Sequence, residues 1–234
     1  MQINEFIEEL KKININITDK QLNQLEKYYQ ILIEENEKIN LTAITKKEDV
    51  YLKHYYDSLT LNKIVNLEKI NTMCDIGTGA GFPGIVIKIL FPNIKVTLVD
   101  SLNKRIEFLK KVINELELEN IEAIHSRIEE YGIKNREKFD LVTARAVASL
   151  NILLEYSIPL VQINGYFVAM KSNVEEEIKN IDRAIKELNT QIKDKIEFNL
   201  PIEESKRTLI KFIKNNPTNK KYPRKFSIIK QRPL

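Results

Sequence analysis

Glycine is scarce in this chain. It has six glycines in 234 residues, where average usage of about 7% would give about sixteen. Cysteine is scarcer still: the single Cys74 excludes an internal disulfide and a cysteine-rich zinc site. Only two histidines occur, His54 and His125, far apart in sequence, so no metal centre built by the protein is expected. No run of about 18 apolar residues is present, which excludes a transmembrane helix. The longest apolar stretch, 85–91, is interrupted by Lys88. The opening MQINEFIEELKK carries acids and lacks the pattern of a secretory signal, so a cytoplasmic protein is expected.

What is present is balanced. The chain is 43% apolar and 30% charged, as in soluble globular proteins. The length suits one domain with an extension. Net charge is +4, unevenly spread. Residues 206–234 hold ten Lys and Arg and no acid, whereas 1–205 hold 27 bases against 33 acids. Such asymmetry suggests an acidic partner, most often nucleic acid, with a merely solvated tail as the alternative.

Residues 1–66 read as a helical extension. Thr18-Asp-Lys-Gln21 fits a capping box, followed by Leu22, Leu25, Tyr29, Leu32 and Ile33 at helical spacing. Short helices are expected from 46 or 47 towards 55 and over 59–65, after a loop at 40–43. From residue 70 strands and helices alternate. Strands are expected at 72–76, 96–99, 121–125, 139–144 and 166–170, then at 191–198 and 208–213. Helices are expected at 85–91, stopped by Pro92, at 149–157 and at 174–188, and one follows Asp100 along Leu102, Ile106, Leu109, Ile113 and Leu116. The pattern implies an α/β fold: a Rossmann-like, mostly parallel sheet over 67–234 with an antiparallel hairpin at one edge. A basic tail occupies 215–234.

Four of the six glycines lie together, in Asp75-Ile-Gly77-Thr-Gly79-Ala-Gly81-Phe-Pro-Gly84. The string joins an expected strand to an expected helix, where bare backbone and free amides suit a phosphate- or nucleotide-like ligand. Gly79-Ala-Gly81-Phe-Pro-Gly84 matches the dinucleotide pattern G-x-G-x-x-G, which would make the chain an NAD-dependent oxidoreductase. The longer string, with Asp75 and Gly77, resembles the first motif of class I S-adenosylmethionine-dependent methyltransferases. Both need an acid at the end of the next strand to hold ribose hydroxyls, and Asp100 stands 23 residues after Gly77. Gly77, Asp75 and the late hairpin favour the methyltransferase.

Further motifs follow in order: Asn40-Leu-Thr-Ala43, His54-Tyr-Tyr-Asp57-Ser58-Leu59, Val99-Asp-Ser-Leu-Asn-Lys-Arg105, Ser126-Arg-Ile-Glu-Glu130, Thr143-Ala-Arg-Ala-Val-Ala148, Gly165-Tyr-Phe-Val-Ala-Met-Lys171 and Lys221-Tyr-Pro-Arg-Lys225. With the glycine string they resemble the bacterial 16S rRNA guanine-N7 methyltransferases, the RsmG (GidB) family, over nearly the whole chain. One departure is visible: Phe226-Ser-Ile-Ile229 stands where the family has a small, glycine-containing stretch.

The resemblance implies a site for S-adenosylmethionine at Gly77, Gly79, Phe82, Asp100, Ser101, Ile128, Glu129 and Arg145. Phe82 would pack on an apolar part of the cofactor, Asp100 would hold the ribose and Ile128 would cover the adenine. Arg145 would pair with the methionine carboxylate or hold the target nucleotide. The partner implied is 16S ribosomal RNA, the small subunit or its assembly intermediate, contacted by Arg145, Lys221, Tyr222, Arg224 and Lys225. Tyr222 would either stack on a base or anchor the tail against the domain. A monomer is expected. A methyltransferase acting on a small molecule, with a purely solvated tail, is the further alternative. Guanine N7 has a free lone pair, so the reaction needs alignment rather than a general base, and no catalytic residue is assigned. Cys74 is expected in the core, and both histidines in hydrogen-bonding structural roles.

Overall fold

The computed structural model describes residues 1–145 and 147–234. Seven strands form one sheet: β1 (Thr72–Ile76), β2 (Lys95–Asp100), β3 (Ile121–His125), β4 (Phe139–Arg145), β5 (Val161–Lys171), β6 (Thr190–Asn199) and β7 (Lys206–Lys214). Their order is β3-β2-β1-β4-β5-β7-β6. The first five are parallel, and β7 runs antiparallel between β5 and β6. The order reverses between β1 and β4, a point where open sheets leave a crevice at the carboxyl ends of their strands.

The strands alternate between two cores, as a pleated backbone requires. Met73, Val96, Leu98, Leu141, Val168 and Met170 face one cluster, and Cys74, Ile76, Val99, Val142, Phe167 and Ala169 face the other. The first cluster is covered by the helices Ile3–Lys12, Asp19–Ile39, Gly84–Leu90 and Asn103–Glu115. Phe6, Leu10, Leu25, Tyr28 and Leu32 of the amino-terminal helices join it. The second is covered by Ile128–Lys134, Leu150–Ser157 and Asp182–Leu188. Tyr222, Ile229 and Leu234 of the tail join that one. Both ends of the chain are thus built into the cores.

The capping box forms as expected: Thr18 Oγ1 accepts from the Gln21 amide, and the Gln21 side chain accepts from the Thr18 amide. Other expectations need correction. The helix expected over 174–188 is two, Glu175–Ile178 and Asp182–Leu188: Asn180 closes the first by donating its amide to Glu177 O (3.2 Å) and its side chain to Glu176 O (3.0 Å), and Ile181 between them is buried in the second core. The two short helices expected in 46–65 are a nearly continuous run. It passes from α (Lys47–Val50) through a π-helical stretch (Tyr51–Tyr56) to Asp57–Leu59 and a 3₁₀ turn, Thr60–Lys63. The tail carries a helix, Phe226–Gln231, that sequence did not suggest. No helix among the described residues is long and apolar enough to cross a membrane.

Candidate functional site

The site begins where β1 ends. Asp75 is fully buried, and its Oδ2 accepts from the Thr78 hydroxyl (2.7 Å) and the Gly84 amide (2.9 Å). The carboxylate thereby closes the glycine loop onto the helix that follows. Burial pushes its pKa up to about 7 against these two donors. Its other oxygen, Oδ1, has no hydrogen-bond partner. Gly84 sits so close that a Cβ there would lie 2.2 Å from Leu98 Cδ2.

The neighbouring strand holds the loop from its other side. The Gly77 and Thr78 amides donate to Val99 O (2.8 and 3.2 Å). Asp100 Oδ2 accepts from the Gly79 amide (3.0 Å) and from Arg105 Nη1 (3.2 Å), and Oδ1 accepts from the Leu102 amide (3.0 Å). A carboxylate has about four acceptor positions, so Asp100 keeps one. Gly79 has φ of +61°, and a Cβ there would meet nothing within 4 Å. Its open face is therefore space for a ligand lying against backbone.

Two cavities adjoin this corner. One, of about 310 Å³, is lined by Ser101, Ile128, Glu129, Val147, Ala148 and Phe226, among others. The other, of about 740 Å³, is lined by Lys53, His54, Asp57, Arg145 and Arg207, and again by Val147 and Ala148. The Val147 side chain also lies over Gly77. Ala146 of the Thr143–Ala148 motif lies outside the described residues.

Arg145 is the centre of the larger cavity. Its Nη1 donates to Lys53 O (2.9 Å) and Asp57 Oδ2 (3.3 Å), and its Nη2 contacts His54 Nδ1 (3.1 Å). A guanidinium only donates, so Nδ1 accepts and the ring proton sits on Nε2, which faces Thr42 Oγ1 at 2.9 Å. Burial, reinforced by the Arg145 charge, lowers the His54 pKa to about 3. His54 is thus a neutral wall rather than a proton donor. Arg207 Nε completes the group by donating to Asp57 Oδ1 (3.0 Å). The ion pair of Arg145 is nearly buried, at 16% side-chain exposure.

The structure brings together most of the residues singled out in sequence. Gly77, Gly79 and Asp100 form the loop corner, Ser101, Ile128 and Glu129 the smaller cavity, and Arg145 the larger. Glu129 is 5% exposed and accepts from Arg127 Nε at 2.6 Å. Phe82 lines neither cavity. Its ring stacks on His54 (centroids 4.3 Å apart) and packs against Tyr28 and Tyr55, because the amino-terminal helices bring an aromatic cluster against the loop. Cys74 is buried in the core, where desolvation raises its thiol pKa. His125 Nε2 contacts Ser101 O (3.0 Å), a structural contact.

The tail changes most. Tyr222 is 3% exposed and its hydroxyl donates to Glu187 (2.8 Å), so it anchors the tail and offers no face for a base. Arg224 makes a two-point contact with Glu155, which is fully buried (2.8 and 2.6 Å), and its charge is consumed there. Lys221 pairs with Glu187 at the surface. Lys225 is exposed and free of ion pairs among the described residues. Lys53, Asp57 and Arg207 were not proposed from sequence as site residues. They lie some 60 to 90 residues from Arg145, and no local pattern links them.

Strand order and loop together define the class: a class I methyltransferase fold, with its glycine loop at the sheet's switch point. Solved structures agree on the fold. A SAM-dependent methyltransferase from Aquifex aeolicus superimposes with a TM-score of 0.54 at 14% identity, covering 77% of this chain and 97% of that one. M. jannaschii TYW2 in complex with AdoMet gives 0.52 at 13% identity, covering 63% and 72%. The family model described as rRNA small subunit methyltransferase G matches residues 21–205. Proteins named ribosomal RNA small subunit methyltransferase G are similar along the chain: 49% identical in Lysinibacillus sphaericus, covering all of both chains, and 49% in Bacillus subtilis, covering 96% of this chain and 95% of that one. The chain belongs to the rRNA small subunit methyltransferase G family, which removes the oxidoreductase alternative.

Proposed function

We propose that this chain binds S-adenosylmethionine at the glycine-loop corner and transfers its methyl group to N7 of a guanine in 16S ribosomal RNA. The observation that carries this reading is the wall of Val147 and Ala148 shared by the two cavities. A small, largely apolar cavity beside Ser101 and Ile128 suits the donor's nucleoside. The larger cavity, where Arg145 and Arg207 share the single carboxylate of Asp57, suits a nucleotide of an anionic chain. The residues fit the donor: Gly79 leaves backbone bare, and Asp100 keeps an acceptor for a ribose hydroxyl.

When bound, S-adenosylmethionine supplies a sulfonium methyl that the N7 lone pair can take without loss of a proton. The chain's part is then to hold and orient. Asp75 and Asp100 fix the loop from two sides. Arg145, clamped by Lys53 O, Asp57 and His54, retains two of its five N–H donors for a carboxylate or a phosphate. His54 has its Nδ1 lone pair engaged by Arg145, consistent with chemistry that needs no general base.

RNA contact falls to the free cations. Lys225 and Arg232 are exposed, as is Lys230 at the edge of the smaller cavity, and Lys221 exchanges its surface pair at little cost. Tyr222 and Arg224 support RNA binding by fixing the tail, not by touching the RNA. Purified protein given S-adenosylmethionine labelled in the methyl group, with unmethylated small subunits, is expected to label 16S rRNA. Asp100→Ala is expected to weaken S-adenosylhomocysteine at least about tenfold in calorimetry, the worth of a charge-assisted hydrogen bond. No label, or unchanged affinity in that variant, would overturn the reading.

A further inference from the structure

The smaller cavity has one wall that no motif assigns. It comes from the helix Phe226–Gln231, which supplies Phe226 and Lys230. The helix is not a loose end. Ile229 is fully buried, Leu234 is 5% exposed, and both join the core that holds Leu153 and Leu154. The preceding turn is fixed by Tyr222 on Glu187 and by Arg224 on Glu155. Phe226 is therefore delivered to the cavity by a strap with little freedom.

The ring itself is held. The Arg127 guanidinium lies 4.0 Å from its centroid, a cation–π contact, and the same guanidinium is tied to Glu129 (2.6 Å). Yet Phe226 is 42% exposed, at a cavity whose other apolar lining includes Ile128, Ile152 and Tyr156. A fixed, half-exposed aromatic at the mouth of an apolar cavity is a stacking surface for a flat heterocycle. The cavity continues from Ser101, next to the Asp100 that holds the glycine loop.

We propose that Phe226, held by Arg127, forms the aromatic wall against which the adenine ring of S-adenosylmethionine packs. The inference rests on the donor reading above. It assigns cofactor contact to the tail segment in which this chain departs from the family's small, glycine-containing stretch. One wall of the nucleoside pocket is thus supplied by the tail helix.

Calorimetry with S-adenosylhomocysteine and with adenosine tests it. Phe226→Ala is expected to weaken both by about tenfold, with an unchanged melting temperature, while the exposed Ile228→Ala leaves both unaltered. The chain has no tryptophan, so Phe226→Trp gives a single fluorophore at the cavity. That variant is expected to retain affinity and to change its emission as ligand is added. Wild-type protein that binds neither ligand would overturn the donor reading and this inference with it. Wild-type binding with unaltered Phe226→Ala affinity would overturn the inference alone. So would loss of rRNA affinity in Phe226→Ala without loss of S-adenosylhomocysteine, which would give the ring to RNA.

Discussion

Arg145 carries its charge into a nearly closed environment, and three partners from one segment make that possible. Lys53 O, His54 and Asp57 all lie on the π-helical stretch or just beyond it, so one irregular turn presents them together. Removing the guanidinium leaves buried Asp57 with Arg207 alone. Arg145→Ala is expected to cost about 3 kcal/mol of stability by chemical denaturation. Arg145→Lys keeps the charge but not the fork of donors, and is expected to lower methyl transfer by about 100-fold. Normal transfer by the lysine variant would count against the proposed role. Arg145 was legible in its motif, and His54 and Asp57 in theirs; that the two meet was not, since the contacts span some 90 residues.

His54 and Asp75 give the site an opposed pair of pH dependences. His54 has a folded pKa near 3, below its ordinary value, so the unfolded chain binds its proton first. Its contribution makes stability rise with pH between about 3 and 6.5. Asp75 has a folded pKa near 7, above its ordinary value, so the folded chain keeps a proton that the unfolded chain releases. Its contribution makes stability fall as pH rises from about 4 to 7. The two offset each other across the acidic window. In His54→Gln the first contribution is gone. The stability difference, wild type minus variant, is expected to grow by up to about 1.4 kcal/mol per pH unit from pH 4 to 6. A constant difference across urea titrations at those pH values would contradict the assignment.

At the scale of elements, the glycine loop separates two uses of glycine that composition alone joins. Gly84 is bare because the helix it opens lies against Leu98, and Gly84→Ala is expected to destabilise the fold by about 1–3 kcal/mol. Gly79 is bare toward open space. Gly79→Ala is expected to lose only about 1 kcal/mol, from its positive φ, while S-adenosylhomocysteine affinity falls at least about tenfold. Melting and calorimetry on both variants separate the roles; equal ligand affinity in Gly79→Ala and wild type would contradict them. The strands, their alternation and the edge hairpin were readable because period-2 burial and turn residues are local signals. The break within 174–188 was not, because the burial of Ile181 in the second core, between the two helices, is tertiary. Nor was the placement of Phe82, which follows from how the amino-terminal helices meet the loop.

For the whole molecule, both ends of the chain are structural parts of the sheet's two covers. The ten cations of 206–234 looked equivalent in sequence, yet folding divides them. Lys214 is fully buried against Glu137 and Ile158 O, Arg224 is spent on Glu155, and Lys225, Lys230 and Arg232 remain outside. Deleting 217–234 would strip Glu155 of its partner and expose the contacts of Tyr222, Ile229 and Leu234. About 3–5 kcal/mol of stability is expected to be lost from the broken ion pair alone. Neutralising Lys225, Lys230 and Arg232 to Ala instead is expected to keep the melting temperature and to lower the salt dependence of RNA binding by about two in logarithmic slope. An unchanged slope would remove the tail from the RNA path.

The transfer itself is read most directly from rRNA nucleosides. In a strain lacking this gene, mass spectrometry of digested 16S rRNA is expected to show the loss of one 7-methylguanosine per molecule. The wild-type gene should restore it, and the Asp100→Ala gene should not. An unchanged 7-methylguanosine content in the deletion strain would contradict the proposed function.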